Sequence, residues 1–362
     1  MEARLFGRLL ACEASAIGEA LALPEDEYLA AADRHGVVPL LAESARFCPG
    51  RSAPHQDAVE RLARQHAALD LVHERATVQV LTALDDAGVR ALLIKGVDLA
   101  YSLYDRSDLR PRLDVDIWVP PAERLLAAPV LQRLGYRALP GPGERVMSQE
   151  TFVAASPGGP HVIDLHWRVA NAERFGDALA FDEAWTAAEA RPRLTAVARG
   201  LGRQHALALA CVHRAAHHYG SRRLIWLKDI ELLARSLSAE EWEGWARLVL
   251  ERRVARVSAA GLECAAEFFG ATVPPQVMDA LSRNDEPDAR SYLDPEARHA
   301  SRILADLRQA SSWRARRVLI SGHVFPASTY MRGVYAPGSR WPLPLLYALR
   351  LVKGAGRWLR RG

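Results

Sequence analysis

Cysteine is scarce in this chain and poorly placed for cross-linking. Cys12, Cys48, Cys211 and Cys264 lie far apart and form no C-x-x-C pair. That spacing excludes a zinc ribbon and a disulfide scaffold, and makes a reducing, cytoplasmic setting the expectation. No apolar run approaches the ~20 residues needed to cross a bilayer, so no transmembrane segment is expected. The opening MEARLFGRLLACEASA breaks its apolar residues with Arg8 and Glu13, unlike a secretory signal. Repeats of fixed period and low-complexity stretches are also missing. Acid is nearly absent from Arg302 onward, where 12 Lys or Arg face one acid, Asp306; the preceding residues carry 35 bases and 42 acids. Such a basic tail suits an anionic partner, whether polyanion, anionic lipid or an acidic face of its own protein.

What is present is an ordinary globular composition, 49% hydrophobic and 25% charged over 362 residues, long enough for two or three compact units. Residues 1–48 read as helices, and FCPGRSAPH as a loop. From Gln56 to Ala87 apolar residues recur three or four apart, which predicts one long helix stopped by Gly88. The texture then changes. VRALLI (89–94) reads as a short buried strand, Lys95-Gly96 as a turn, VDLAYSLY as a short helix and PAERLLAAPVLQRLGY (121–136) as an amphipathic helix. TFVAAS and HVIDLHWRV (161–169) read as two strands joined at PGGP. Beyond about residue 186 the pattern is helical again. The fold class expected is α+β: a small mixed sheet flanked by amino- and carboxyl-terminal helical regions. The expected divisions are 1–75 (helical), 76–185 (α/β core), 186–312 (helical) and 313–362 (basic tail).

The segment RPRLDVDIWV (110–119) alternates. Leu113, Val115, Ile117 and Val119 make an apolar face; Arg112, Asp114 and Asp116 make a charged one. Residues two apart on a strand point the same way, about 7 Å apart, so two carboxylates share one space. Asp is depleted in strands, and two such anions raise each other's pKa unless a cation lies between them. A pair of Mg²⁺ or Mn²⁺ ions about 4 Å apart would serve, clamping both oxygens of a phosphoryl displacement. In HVIDLHWRV, Asp164 sits on the polar face with Val162, His166 and Arg168, a third carboxylate if the two strands are neighbours. Lys95 and Gly96, between a strand and a helix start, suit a phosphate: glycine allows close approach and lysine adds a point charge.

Taken together, IKGVDLAYSLY, RPRLDVDIWV and VIDLHWRV resemble the DNA polymerase β-type nucleotidyltransferase superfamily. More narrowly they resemble a large bacterial family of uncharacterised nucleotidyltransferases often encoded in biosynthetic clusters. RHGVVPLLAES, H-x3-H with IWLKDIELL, and FPASTYMRGVY extend the similarity over most of the chain. The usual Gly-Ser after the first strand is Lys-Gly here, as in abortive-infection-type toxins, and Val97 offers no hydroxyl. The resemblance implies that Asp114, Asp116 and Asp164 are catalytic and hold two metal ions. Lys95, Gly96, Arg112 and His166 would contact the nucleoside triphosphate (NTP), with AMP passing from ATP to a hydroxyl or phosphate. The acceptor would be a small molecule, a peptide or a transfer RNA. A binding or scaffold protein with an idle site is the rival from another class.

Three further features stay open. Arg112 either steadies the triphosphate or forms a structural ion pair. His213 and His217, four apart, with His218, are packed histidines, an acceptor-side wall or a metal pair. Trp226 reads as core, and Asp229 as a group that orients a histidine or the acceptor.

Overall fold

The computed structural model describes residues 2–48, 54–143, 147–284, 286–336 and 341–359. The chain opens with helices α1 (Glu2–Leu10), α2 (Ala14–Leu21), α3 (Glu25–Arg34), α4 (Val38–Phe47) and α5 (Gln56–Asp86). The last is the long helix expected, ended at Gly88, whose φ of +70° is the left-handed turn glycine adopts readily. Strand β1 (Leu92–Ile94) runs directly into α6 (Lys95–Ser102). No separate turn intervenes, because Lys95 itself takes a left-handed φ of +57° and reverses the chain. There follow β2 (Val115–Trp118), α7 (Arg124–Arg133), β3 (Arg137–Ala138), β4 (Gln149–Ala154), β5 (His161–His166), α8 (Glu173–Gly176) and α9 (Phe181–Thr186).

Two strands beyond residue 186 were not expected. β6 (Glu189–Ala190) and β7 (Arg199–Gly200) are two residues each, too short to carry an alternating pattern. With them the mixed sheet has seven strands among the described residues, in the order β3-β4-β5-β2-β1-β7-β6. β2 is antiparallel to β1 and parallel to β5. The helical region continues as α10 (Arg203–Ala216), α11 (Leu224–Ser236), α12 (Ala239–Glu251), α13 (Ala255–Phe269), α14 (Pro275–Ser282) and α15 (His299–Gln309).

Alternation along each strand decides what covers the sheet. Val115, Ile117 and Val119, with Ile163 and Leu165, pack under Val80 and Leu84 of α5 and Val130 and Leu131 of α7. The opposite residues, Leu92, Ile94 and Trp118, join a second core built on α10 to α13. Trp118 meets Phe181 edge-on at 5.1 Å, which closes one end of that face. Its other end, at Asp116, is left uncovered by apolar residues. Leu113 belongs to neither layer: it is 76% exposed, since the strand begins at Val115 rather than at residue 113. A third core joins Phe6, Tyr28, Val38 and Leu41 to Leu224, Leu227 and Phe268. The amino-terminal helices therefore bridge α5 to α11 and α13, and the molecule closes around one side of the sheet.

The expectation of four separated cysteines is corrected here. Cys12 and Cys48 are disulfide-bonded, their Cα atoms 6.0 Å apart, while Cys211 and Cys264 are free and buried. Folding of α1 to α4 into one unit brings together positions 36 residues apart in sequence. The tail forms α16 (Trp313–Val324), then α17 (Ser328–Tyr335) and α18 (Leu343–Leu359), the last two packed on a small core of Met331, Ala336 and Leu346. No helix of the described residues is long and apolar enough to cross a membrane.

The β7 edge is fixed to α6 by a buried ion pair, Arg191 Nε to Asp98 Oδ1 at 2.7 Å, with the Leu201 N–H donating to the other Asp98 oxygen at 3.1 Å. Gly200 admits this contact: a Cβ there would lie 1.8 Å from Asp98 Oδ1. Gly200→Ala should therefore destabilise the fold by about 2 kcal/mol through overpacking. Thermal denaturation reads this directly, and an unchanged melting temperature would show that the pair is not tightly held.

Candidate active site

The parallel pairing of β2 with β5 sets Asp116 directly opposite Asp164 and Trp118 opposite His166. Period-two alternation then places Asp116, Asp164 and His166 on one face. Each offers a ligand atom, and these atoms lie within 4.8 Å of one another. Asp114, just before β2, lines the same cavity but falls outside this tight group, so His166 rather than Asp114 is its third member. The cavity has a volume of about 480 Å³ and reaches from the sheet to α3, α5, α10 and α11.

Asp116 is almost fully buried, which alone would raise its pKa. Two neighbours overcome that penalty and hold it well below the usual carboxylate range. Lys95 Nζ donates to Asp116 Oδ1 at 2.6 Å, and His166 Nε2 lies 2.8 Å from the same oxygen and 3.3 Å from Nζ. Burial, followed by the charge of Lys95, lowers the pKa of His166, with Asp116 opposing; the ring is neutral at physiological pH. Its Nδ1 is buried without a partner among the described residues. The left-handed backbone at Lys95 turns the chain at the foot of α6, where the ammonium reaches the carboxylate on the neighbouring strand β2.

Asp164 is held differently. Gln149 Nε2 donates to Oδ2 and Thr151 Oγ1 to Oδ1, both at 2.6 Å, from the adjoining strand β4. Sequence reasoning missed both residues; their signal was a pair of polar side chains two apart on the strand hydrogen-bonded to β5. Asp114 has no hydrogen bond or ion pair with any described residue. Solvent reaches it through the cavity mouth, yet protein crowds it from below. Burial, then repulsion from Asp116 and Asp164, pushes its carboxyl up to about 6, against the attraction of Lys95 and Arg110.

Arg112 lines the same cavity but is already paired. Its guanidinium pairs with Asp70 of α5 at 2.7 Å and lies 5.4 Å from the centre of the Tyr101 ring. Of the alternatives left open, an ion pair within the protein is the one observed, the long helix α5 presenting the acid. Arg110, not singled out in the sequence, forks onto Asp229 at 2.8–3.2 Å, and the Tyr104 hydroxyl donates to that carboxylate at 2.8 Å. Asp229 thus orients an arginine rather than a histidine. A Cβ on Gly96 would lie 3.0 Å from Arg110 Nη1, a tight contact.

His213, His217 and His218 do line the cavity, and Trp226 joins them, stacked on His218 at 3.8 Å while also packing against the small core of Tyr104, Leu109 and Ile225. Burial, aided by Lys95, holds His213 well below its ordinary value and lowers His217 to about 3. Burial and Arg223 bring His218 to about 4, so all three rings are neutral at physiological pH. Among the described residues no third ligand joins His213 and His217 to form a metal site.

The raised carboxyl of Asp114 fixes a sign. Its folded value of about 6 exceeds the ordinary 3.8, so ionisation opposes folding fully above pH 6, and the penalty fades as pH falls towards 4. Asp114→Asn should raise the melting temperature at pH 8, with a gain that shrinks by pH 4.5. Equal melting temperatures at pH 8 would show that the carboxylate is not crowded.

No curated protein matches the chain. A family described as "Uncharacterised nucleotidyltransferase" matches residues 22–270, a span that starts before α3, contains the sheet and every cavity-lining residue, and ends just after α13. The chain belongs to this nucleotidyltransferase family.

Proposed function

We propose that the protein transfers a nucleoside monophosphate, AMP from ATP, to a hydroxyl or phosphate of an acceptor and releases pyrophosphate. The observation that carries this reading is Asp114, unpaired among the described residues and lining one cavity with Asp116 and Asp164. A carboxylate that opposes folding has no structural use, and an idle scaffold would gain stability by losing it. Repulsion among these acids is relieved by a cation.

The family implies a divalent ion, Mg²⁺ or Mn²⁺, and the donor set fits one. Carboxylate oxygens suit both ions, and His166 adds a neutral imidazole whose Nδ1 has no partner among the described residues. Asp116, Asp164 and His166 would hold it, with Asp114 at the mouth. When bound, such an ion supplies positive charge against the phosphate oxygens. The protein's own groups do the rest. Asp164, steadied by Gln149 and Thr151, keeps free lone pairs with which to take the proton of the attacking hydroxyl. The acceptor oxygen bonds to the α-phosphorus as the bond to the β-phosphate oxygen breaks, and pyrophosphate departs in line. Lys95 and the neutral His166 keep Asp116 ionised throughout.

Pyrophosphate release with Mg²⁺ and each NTP, offered small-molecule, peptide and tRNA acceptors, tests the reading. Asp114→Asn is expected to remain folded and lose activity at least about a hundredfold. Wild-type rates in this variant would refute the assignment.

A further inference from the structure

Four cationic side chains line the cavity, and three are committed to carboxylates: Lys95 to Asp116, Arg110 to Asp229 and Arg112 to Asp70. The fourth, Arg223, immediately precedes α11. It makes no ion pair or side-chain hydrogen bond with any described residue, and its Nε is buried without a partner. The guanidinium carbon lies 5.0 Å from the centre of the Trp226 ring, and Nη2 comes within 3.6 Å of where a Cβ on Gly36 would stand. The side chain thus extends along the cavity wall towards the turn between α3 and α4.

Its surroundings oppose its charge. Burial, then the like charge of Arg110, destabilises the guanidinium, while Asp33, Asp114 and Asp229 act on it without reaching it. A partly buried, unpaired arginine beside a second arginine is expensive to keep. Its neighbours also locate it. Arg110 packs against Gly96 at the foot of α6, and Asp114 stands at the mouth of the acid cluster. Lys95 and Arg112, the cations expected to meet a triphosphate, are tied to Asp116 and Asp70. Arg223 is what remains, and a planar guanidinium fork suits phosphate oxygens.

We propose that Arg223 receives the outer phosphates of the nucleoside triphosphate, so that α11 supplies nucleotide recognition to a cavity whose acids come from the sheet. The assignment rests on the nucleotidyl-transfer reading and adds selectivity for triphosphate over monophosphate. It also requires opposite signs in two properties: removing Arg223 weakens binding but does not weaken the empty fold.

The test is calorimetric titration of the full-length chain in Mg²⁺ with ATP, AMP and inorganic tripolyphosphate, alongside melting of the ligand-free protein. Arg223→Ala should weaken ATP and tripolyphosphate about tenfold or more and change AMP less than about twofold. Arg223→Lys should recover part of the loss, and the ligand-free melting temperature of Arg223→Ala should equal or exceed the wild-type value. Unchanged ATP affinity, or equal weakening of ATP and AMP, would overturn the proposal. A fall in melting temperature with ATP affinity intact would make Arg223 a packing residue. If the wild-type chain bound no nucleoside triphosphate, nucleotidyl transfer would itself fail and this assignment with it, a result distinct from loss of the Arg223 effect alone.

Discussion

The parallel pairing of β2 with β5 is the constraint on which the rest depends. It sets Asp116 beside Asp164 at strand spacing, and no rotamer change can remove the second carboxylate from the neighbourhood of the first. Everything nearby answers that repulsion. Lys95 offsets the charge of Asp116 and His166 lies against the same oxygen, Gln149 and Thr151 saturate one side of each Asp164 oxygen, and Asp114, unpaired among the described residues, rises to about 6. Each acid has a different environment, so each has a different chemical aptitude: one locked as an anion, one oriented, one poised to change charge.

The helices around the sheet are arranged so that these acids face a cavity instead of bulk water. On the far side of β2 and β5, α5 and α7 bury the apolar residues that alternate with the acids. On the near side, α10 to α13 cover Trp118 but stop short of Asp116. The amino-terminal helices pack on α11 and α13 and reach the cavity at Asp33 and Gly36, so its wall is drawn from both ends of the family-matched span. Neutral histidines and one unpaired arginine face the acids across it. A polar guest enters a cavity with anionic oxygens on one wall and donors on the other, as suits a phosphate chain bridged to a cation.

What could be read from the residue order follows from the range of the forces involved. Alternation in LDVDIWV and HVIDLHWRV records which face is buried, a local property, and it located both acid-bearing strands; the long periodic stripe closed by Gly88 likewise became α5. Pairings between distant segments leave no such trace. Arg110 and Arg112 are indistinguishable in sequence, yet one found Asp229 of α11 and the other Asp70 of α5. β6 and β7 are too short for a pattern, and the Cys12–Cys48 bond depends on how α1 to α4 fold together. Lys95 reads as a phosphate ligand from its place after a strand; its contact with Asp116 depends on the pairing of β1 with β2, which no local pattern records.

The central claim is that the oxygens of Asp116 and Asp164 and a nitrogen of His166 form a cation site facing a nucleotide. Anomalous diffraction from crystals grown with Mn²⁺ and a non-hydrolysable NTP analogue tests it most directly. The account predicts a manganese peak within bonding distance of both carboxylates, with phosphate density extending towards Arg223. Manganese bound elsewhere, with no phosphate in the cavity, would contradict it.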